Sequence, residues 1–93
     1  MFRGRALQSY FEPEFGEFYL QLPPSVQRQA DRAFEHFAID PRYKSLQFKC
    51  VDKSEAIYSI RINLNYRALG RMRQDGMHWY WAGDHDNYER KIN

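Results

Sequence analysis

The sequence predicts an α+β fold, with an N-terminal helical hairpin packed on one face of an antiparallel sheet of about four strands. Three observations lead there. Apolar residues recur at helical spacing as far as residue 39, and from residue 44 they alternate with polar ones. Asp40-Pro41 separates the two regimes.

The first helix follows Pro13, where Phe15, Phe18, Tyr19 and Leu22 recur at i, i+3, i+4 and i+7. Proline suits a first helical turn, and Glu14 and Glu17 lie where the positive end of the helix dipole favours acids. Pro23-Pro24 should end it. A second stripe runs through Val26, Ala30, Ala33, Phe34 and Phe37 and must stop by Asp40-Pro41, because the residue before proline is pushed out of the helical region. Two amphipathic helices joined by a short proline break form an αα-hairpin that needs a common apolar cover.

Four strands supply that cover. In the first, Leu46, Phe48 and Cys50 share one side, with Gln47 and Lys49 on the other. In the second, Tyr58, Ile60 and Ile62 oppose Ser59, Arg61 and Asn63. Asn63-Leu64-Asn65 turns into a third strand over residues 66–72, and Gln74-Asp75-Gly76 turns into a fourth over residues 78–82, which carries Trp79 and Trp81. Trp79, Trp81, Tyr58, Ile60, Phe34 and Phe37 are expected in one core between hairpin and sheet. A stretch over residues 6–10 adds a candidate edge strand, and a polar segment over residues 84–93 closes the chain.

The chain has 93 residues, which suits a single domain over residues 1–93. Such a chain buries only about two-thirds of its unfolded surface, and its 43% hydrophobic and 17% aromatic content is enough to fill a core. A single cysteine, Cys50, excludes an intramolecular disulfide, and its apolar strand neighbours suggest a buried, inert thiol. The start of the chain lacks the pattern of a signal peptide, so a reducing cytoplasm is the expectation. No apolar run approaches the roughly 20 residues of a membrane span. Net charge is +2, but residues 1–40 hold four arginines against six acids, whereas residues 41–93 hold ten lysines and arginines against six. The basic half is where a phosphate-bearing partner is expected.

Strand alternation puts Lys49, Arg61, Arg67 and Arg71 opposite their apolar neighbours, with Arg73 just beyond. Guanidinium groups hold phosphate oxygens bidentately and can stabilise a charged phosphorane, so these residues are candidate RNA-binding positions. The same pattern also fits arginines solvated on an outer sheet face. After the last strand, Gly83-Asp84-His85-Asp86-Asn87-Tyr88 gathers a histidine, two acids and a tyrosine. His85 and Tyr88 are the acid–base candidates, since imidazole passes protons near neutral pH and a phenol can donate or orient. Alternatively, Asp84 or Asp86 caps a C-terminal helix and leaves His85 merely exposed. His36 and His78 suggest no site. No metal-ligand spacing, phosphate-binding glycine loop or cofactor motif is present, so no cofactor and no metal are expected.

These residues carry a family resemblance. Ser45-Leu46-Gln47-Phe48-Lys49, Ile57-Tyr58-Ser59-Ile60-Arg61, Tyr66-Arg67-Ala68-Leu69-Gly70 and Trp79-Tyr80-Trp81-Ala82-Gly83-Asp84-His85-Asp86-Asn87-Tyr88, in that order after two helices, resemble RelE/ParE toxins over roughly residues 13–90. The last two blocks are the most specific and resemble the RelE-like or HigB-like branch. The resemblance implies a microbial-ribonuclease-like fold and the toxin role of a type II toxin–antitoxin system. Its implied activity is that of a metal-independent, ribosome-associated mRNA endoribonuclease that inhibits translation. In that reaction the ribose 2′-hydroxyl attacks the adjacent phosphate and leaves a 2′,3′-cyclic phosphate.

Carried onto this chain, the resemblance gives Arg61 and Arg67 the scissile phosphate, His85 the proton and Tyr88 the place of the family's C-terminal aromatic. Lys49, Arg71 and Arg73 then bind RNA along the sheet. Its implied partners are a cognate antitoxin in a hetero-oligomer, mRNA and the ribosome. The chain departs from the pattern at Ser59, where RelE has a further lysine, and at Asp84, where a small residue is usual. The ParE branch has the same fold but inhibits DNA gyrase, so a gyrase inhibitor or a non-catalytic RelE-fold binding protein is the alternative.

Overall fold

A computed structural model describes residues 7–93. The elements run β1 (Ser9–Phe11), α1 (Pro13–Gln21), α2 (Pro24–Ile39), a 3₁₀ turn (Lys44–Leu46), β2 (Lys49–Asp52), β3 (Ile57–Arg61), β4 (Tyr66–Arg73), β5 (Gly76–Asp84) and α3 (His85–Ile92). The α+β architecture, the hairpin and both proline-led helix starts follow the sequence reading.

Among the described residues the sheet has five strands rather than about four, in the order β1-β5-β4-β3-β2. It is mixed rather than wholly antiparallel. β1 pairs in parallel with β5, Ser9 facing Met77 and Phe11 facing Trp79, and the Glu12 amide prolongs the ladder to the Trp79 carbonyl at 2.9 Å. Three residues are too few for alternation to register, and a parallel partner so distant in sequence leaves no local signal. Ala6, the first residue of the expected edge strand, lies outside the described residues.

The chain turns as its residues dictate. Asn63 Oδ1 accepts the amides of Asn65 and Tyr66 at 2.7 and 2.9 Å, which closes the turn from β3 into β4. Gly76 ends the next turn at φ +137°, a conformation that side chains resist. The first expected strand is a correction. Leu46 sits in the 3₁₀ turn and Gln47 adopts a left-handed conformation at φ 47° before β2 begins at Lys49. Cys50 keeps the side of Phe48 and Tyr58, but β2 is the outermost strand of the sheet, and the thiol there is exposed rather than buried.

The expected single core is likewise corrected to two clusters. Opposite β4, Leu69 faces Trp81 and Gly70 faces Trp79, which leaves Tyr80 as an extra residue in β5. A bulge of this kind reverses the side-chain alternation beyond it. Trp79, 0% exposed, lies under the helices with Phe34 and Phe37 at ring-centroid distances of 5.1 and 5.3 Å. Ile60 is buried in the same cluster, and Tyr58 packs against it. Trp81, 4% exposed, instead joins Leu69 and Tyr88, with Phe18 of α1 at the margin. Gly70 is needed at this crossing because a Cβ there would lie 2.7 Å from the Trp79 ring.

Candidate functional site

Register assembles the basic face. Lys49 pairs with Ser59, Arg61 with Arg67 and Ile57 with Arg71, so these residues and Leu69 share the sheet face away from α2. Lys49 and Arg73 are exposed, while Arg61 and Arg71 are half-buried. The Arg71 guanidinium stands 5.3 Å over the Tyr80 ring, the residue extruded by the bulge, and its buried Nε has no hydrogen-bond partner among the described residues.

Arg67 departs from the expectation of an arm standing free of any core. It is 8% exposed, because α3 lies across this part of the face and the side chain is packed into the second cluster. Its Nε donates to Ser59 Oγ at 2.8 Å, one terminal nitrogen to Gln47 Oε1 at 3.2 Å and the other to the Gln47 carbonyl at 3.3 Å. The guanidinium carbon lies 5.2 Å from the centroid of the Tyr88 ring. Burial pushes the Arg67 pKa down, Tyr88 opposes that shift, and the like charge of Arg61 adds to it. At cellular pH the group stays charged.

The polar tail expected over residues 84–93 is helical from His85. Asp84 is the N-cap, its carboxylate accepting the Asn87 amide at 2.9 Å and the Asn87 side-chain amide at 3.0 Å. The His85 amide donates to the Asn65 carbonyl at 2.7 Å, which fixes the start of α3 against the β3–β4 turn. His85 carries an exposed imidazole, 3.4 Å from Glu89 and with its ring centroid 5.9 Å from that of Tyr88. Tyr88 is 3% exposed, and its buried hydroxyl has no hydrogen-bond partner among the described residues. Arg61, Arg67, Tyr88 and His85 therefore form a continuous series of neighbours. Two of the four are buried within it.

A family model described as the ParE-like toxin domain matches residues 24–90. That span takes in α2, all of the antiparallel strands and nearly all of α3. The chain belongs to the ParE-like toxin family.

Solved toxin structures share the fold of this chain. A chain of the RelB–RelE antitoxin–toxin complex from Methanococcus jannaschii superposes with a TM-score of 0.72 at 14% identity, over 90% of this chain and 99% of that one. The YoeB–YefM complex from Staphylococcus aureus matches with a TM-score of 0.57 at 17% identity, over 85% and 97%. A copper-bound mutant toxin from Helicobacter pylori gives 0.59 at 13% identity, over 87% and 97%. No curated protein matches the toxin.

Two features of the toxin escape a reading by pattern. Gln47, expected on the outer side of a strand, instead occupies both terminal nitrogens of Arg67 from its left-handed turn. No glycine or asparagine marks that turn in the sequence. His78, set aside as a packing residue, lies between Glu12 at 3.1 Å and Asp75 at 2.7 Å and stacks on Tyr10. Its i, i+3 spacing from Asp75 in the turn between β4 and β5 is a usable signal, but Glu12 belongs to a distant segment. Among the described residues no cluster of metal-ligating side chains occurs, and no helix is long and apolar enough to cross a membrane.

Proposed function

We propose that this toxin acts on RNA, as a ribosome-associated mRNA endoribonuclease that is silenced by a cognate antitoxin. The observation that carries the reading is the series Arg61, Arg67, Tyr88 and His85, drawn from three elements to one end of the basic face. Lys49, Arg71 and Arg73 extend the positive charge along the sheet, where RNA phosphates would lie. Gln47 presents two oxygens to the fork of Arg67, and phosphate oxygens would take their place. In the proposed step a bond forms from the 2′-oxygen to phosphorus as the bond to the 5′-oxygen breaks. His85, whose ring is exposed, transfers the proton from the 2′-hydroxyl to the leaving 5′-oxygen. The antitoxin complexes among the structural neighbours support a partner of that kind for this chain.

One observation favours a second reading, a non-catalytic binder such as a gyrase inhibitor. Arg67 and Tyr88 are buried and packed on each other, as structural residues would be. Induced expression with translation and DNA supercoiling followed in parallel separates the two. If His85 moves the proton, His85→Gln lowers single-turnover RNA cleavage about 10²-fold or more. A change of only a few-fold, or supercoiling lost while translation continues, sinks the ribonuclease reading.

A further inference from the structure

A separate cleft lies where α2 meets the 3₁₀ turn and the end of β3. Its cavity is about 330 Å³, within the range of small-ligand sites. Gln29, Arg32 and His36 line it from one face of α2, and Ser45, Arg61 and Asn63 face them. Among the described residues, no carboxylate lines it. Of the acids on and just after α2, Asp31 accepts the Tyr19 hydroxyl at 2.7 Å, Asp40 lies 3.6 Å from Arg42, and Glu35 is exposed and lines a different cavity. Neither Arg32 nor Arg61 forms an ion pair among the described residues.

The walls are held in place. Asn63 Nδ2 donates to Gln29 Oε1 at 2.7 Å across one end, Arg61 Nε donates to the Ser45 carbonyl at 3.3 Å, and the His36 ring stacks on Tyr43 at 4.3 Å. Two arginines and a histidine therefore line a cleft whose described walls offer no counter-charge, an arrangement suited to an oxyanion. Arg61 gives the cleft its place. It is the cross-strand partner of Arg67, so it stands at the seam between the basic face and this cleft.

We infer that the cleft binds a backbone phosphate of the same RNA, a second anchoring point that turns the strand around the sheet edge at Arg61. The inference rests on the RNA reading above and names where the strand leaves the basic face. Arg32 and His36 are the anchoring groups and take no part in the chemistry.

The test compares wild type with Arg32→Gln, His36→Gln and Lys49→Gln, all checked for unchanged melting, in titrations with a single-stranded RNA oligonucleotide across a salt series. Losing one phosphate contact should lower the slope of log K against log salt by about 0.7, so Arg32→Gln should weaken binding roughly 3- to 10-fold at low salt. Inorganic phosphate should also shift the His36 ring resonances of the wild type and not those of Arg32→Gln. If Lys49→Gln weakens RNA binding while both cleft variants keep wild-type affinity and slope, the cleft is no RNA subsite and the RNA reading stands. If the wild type binds no RNA, both fall, even where free phosphate still perturbs His36.

Discussion

Arg67 is the residue at which structure and function can be separated most sharply. Replacing it by alanine removes three hydrogen bonds from the guanidinium and strips Ser59, itself 0% exposed, of its donor. Hydrogen bonds to a charged group contribute about 1.5–3 kcal/mol each, and relief from holding a charge in a buried site offsets a large part of their sum. The net loss should be about 2–3 kcal/mol, which for a chain of this size lowers Tm by roughly 10–20 °C. Arg67→Met removes the same three hydrogen bonds but fills more of the space beneath Tyr88, so it should be roughly 1 kcal/mol more stable than Arg67→Ala. Thermal and urea melts of both variants give the stability, and growth inhibition on induction gives the function. An alanine variant that melts within about 2 °C of wild type would refute the packed, hydrogen-bonded arginine described above. A folded Arg67→Met without toxicity would assign the charge a role beyond the fold.

Two further outcomes follow from the same side chains. His78 has its pKa raised above 6.5, first by its hydrogen bond to Asp75 and then by Glu12, so its stabilisation is complete below 6.5 and fades as pH climbs through the raised value. Asp75 is held below 3.8, chiefly by His78, so its share is present above 3.8 and fades as pH falls through the lowered value. Tm should therefore be highest between these limits, and His78→Gln should flatten the alkaline decline; identical Tm–pH profiles for the two proteins would show that the ion pairs do not form in solution. Tyr88→Phe removes a buried hydroxyl that lies near Arg67 but has no hydrogen-bond partner of good geometry among the described residues, so melts should find it within about 1 kcal/mol of wild type. A clear loss of stability would mean that the hydroxyl is hydrogen-bonded after all.

The sequence by itself determined the elements whose causes are local. Pro13, Pro23-Pro24 and Asp40-Pro41 set the ends of α1 and α2, since proline restricts its own φ and the residue before it. Asn63 and Gly76 set the turns, and alternation along β3 and β4 put Arg61, Arg67 and Arg71 on one face. The family was legible too, because those strand blocks and the segment from Trp79 to Tyr88 carry its pattern. Tertiary structure decided whatever depends on which distant surfaces meet. The bulge at Tyr80 sent Trp81 to the opposite side from Trp79, and a one-residue slip has no signature in a strand that is aromatic at consecutive positions. Docking of α3 across β4 buried Arg67 and Tyr88, turning a residue expected at the surface into the centre of a network. Periodicity reports which side of its own element a residue occupies; whether that side meets water depends on what the rest of the chain lays over it.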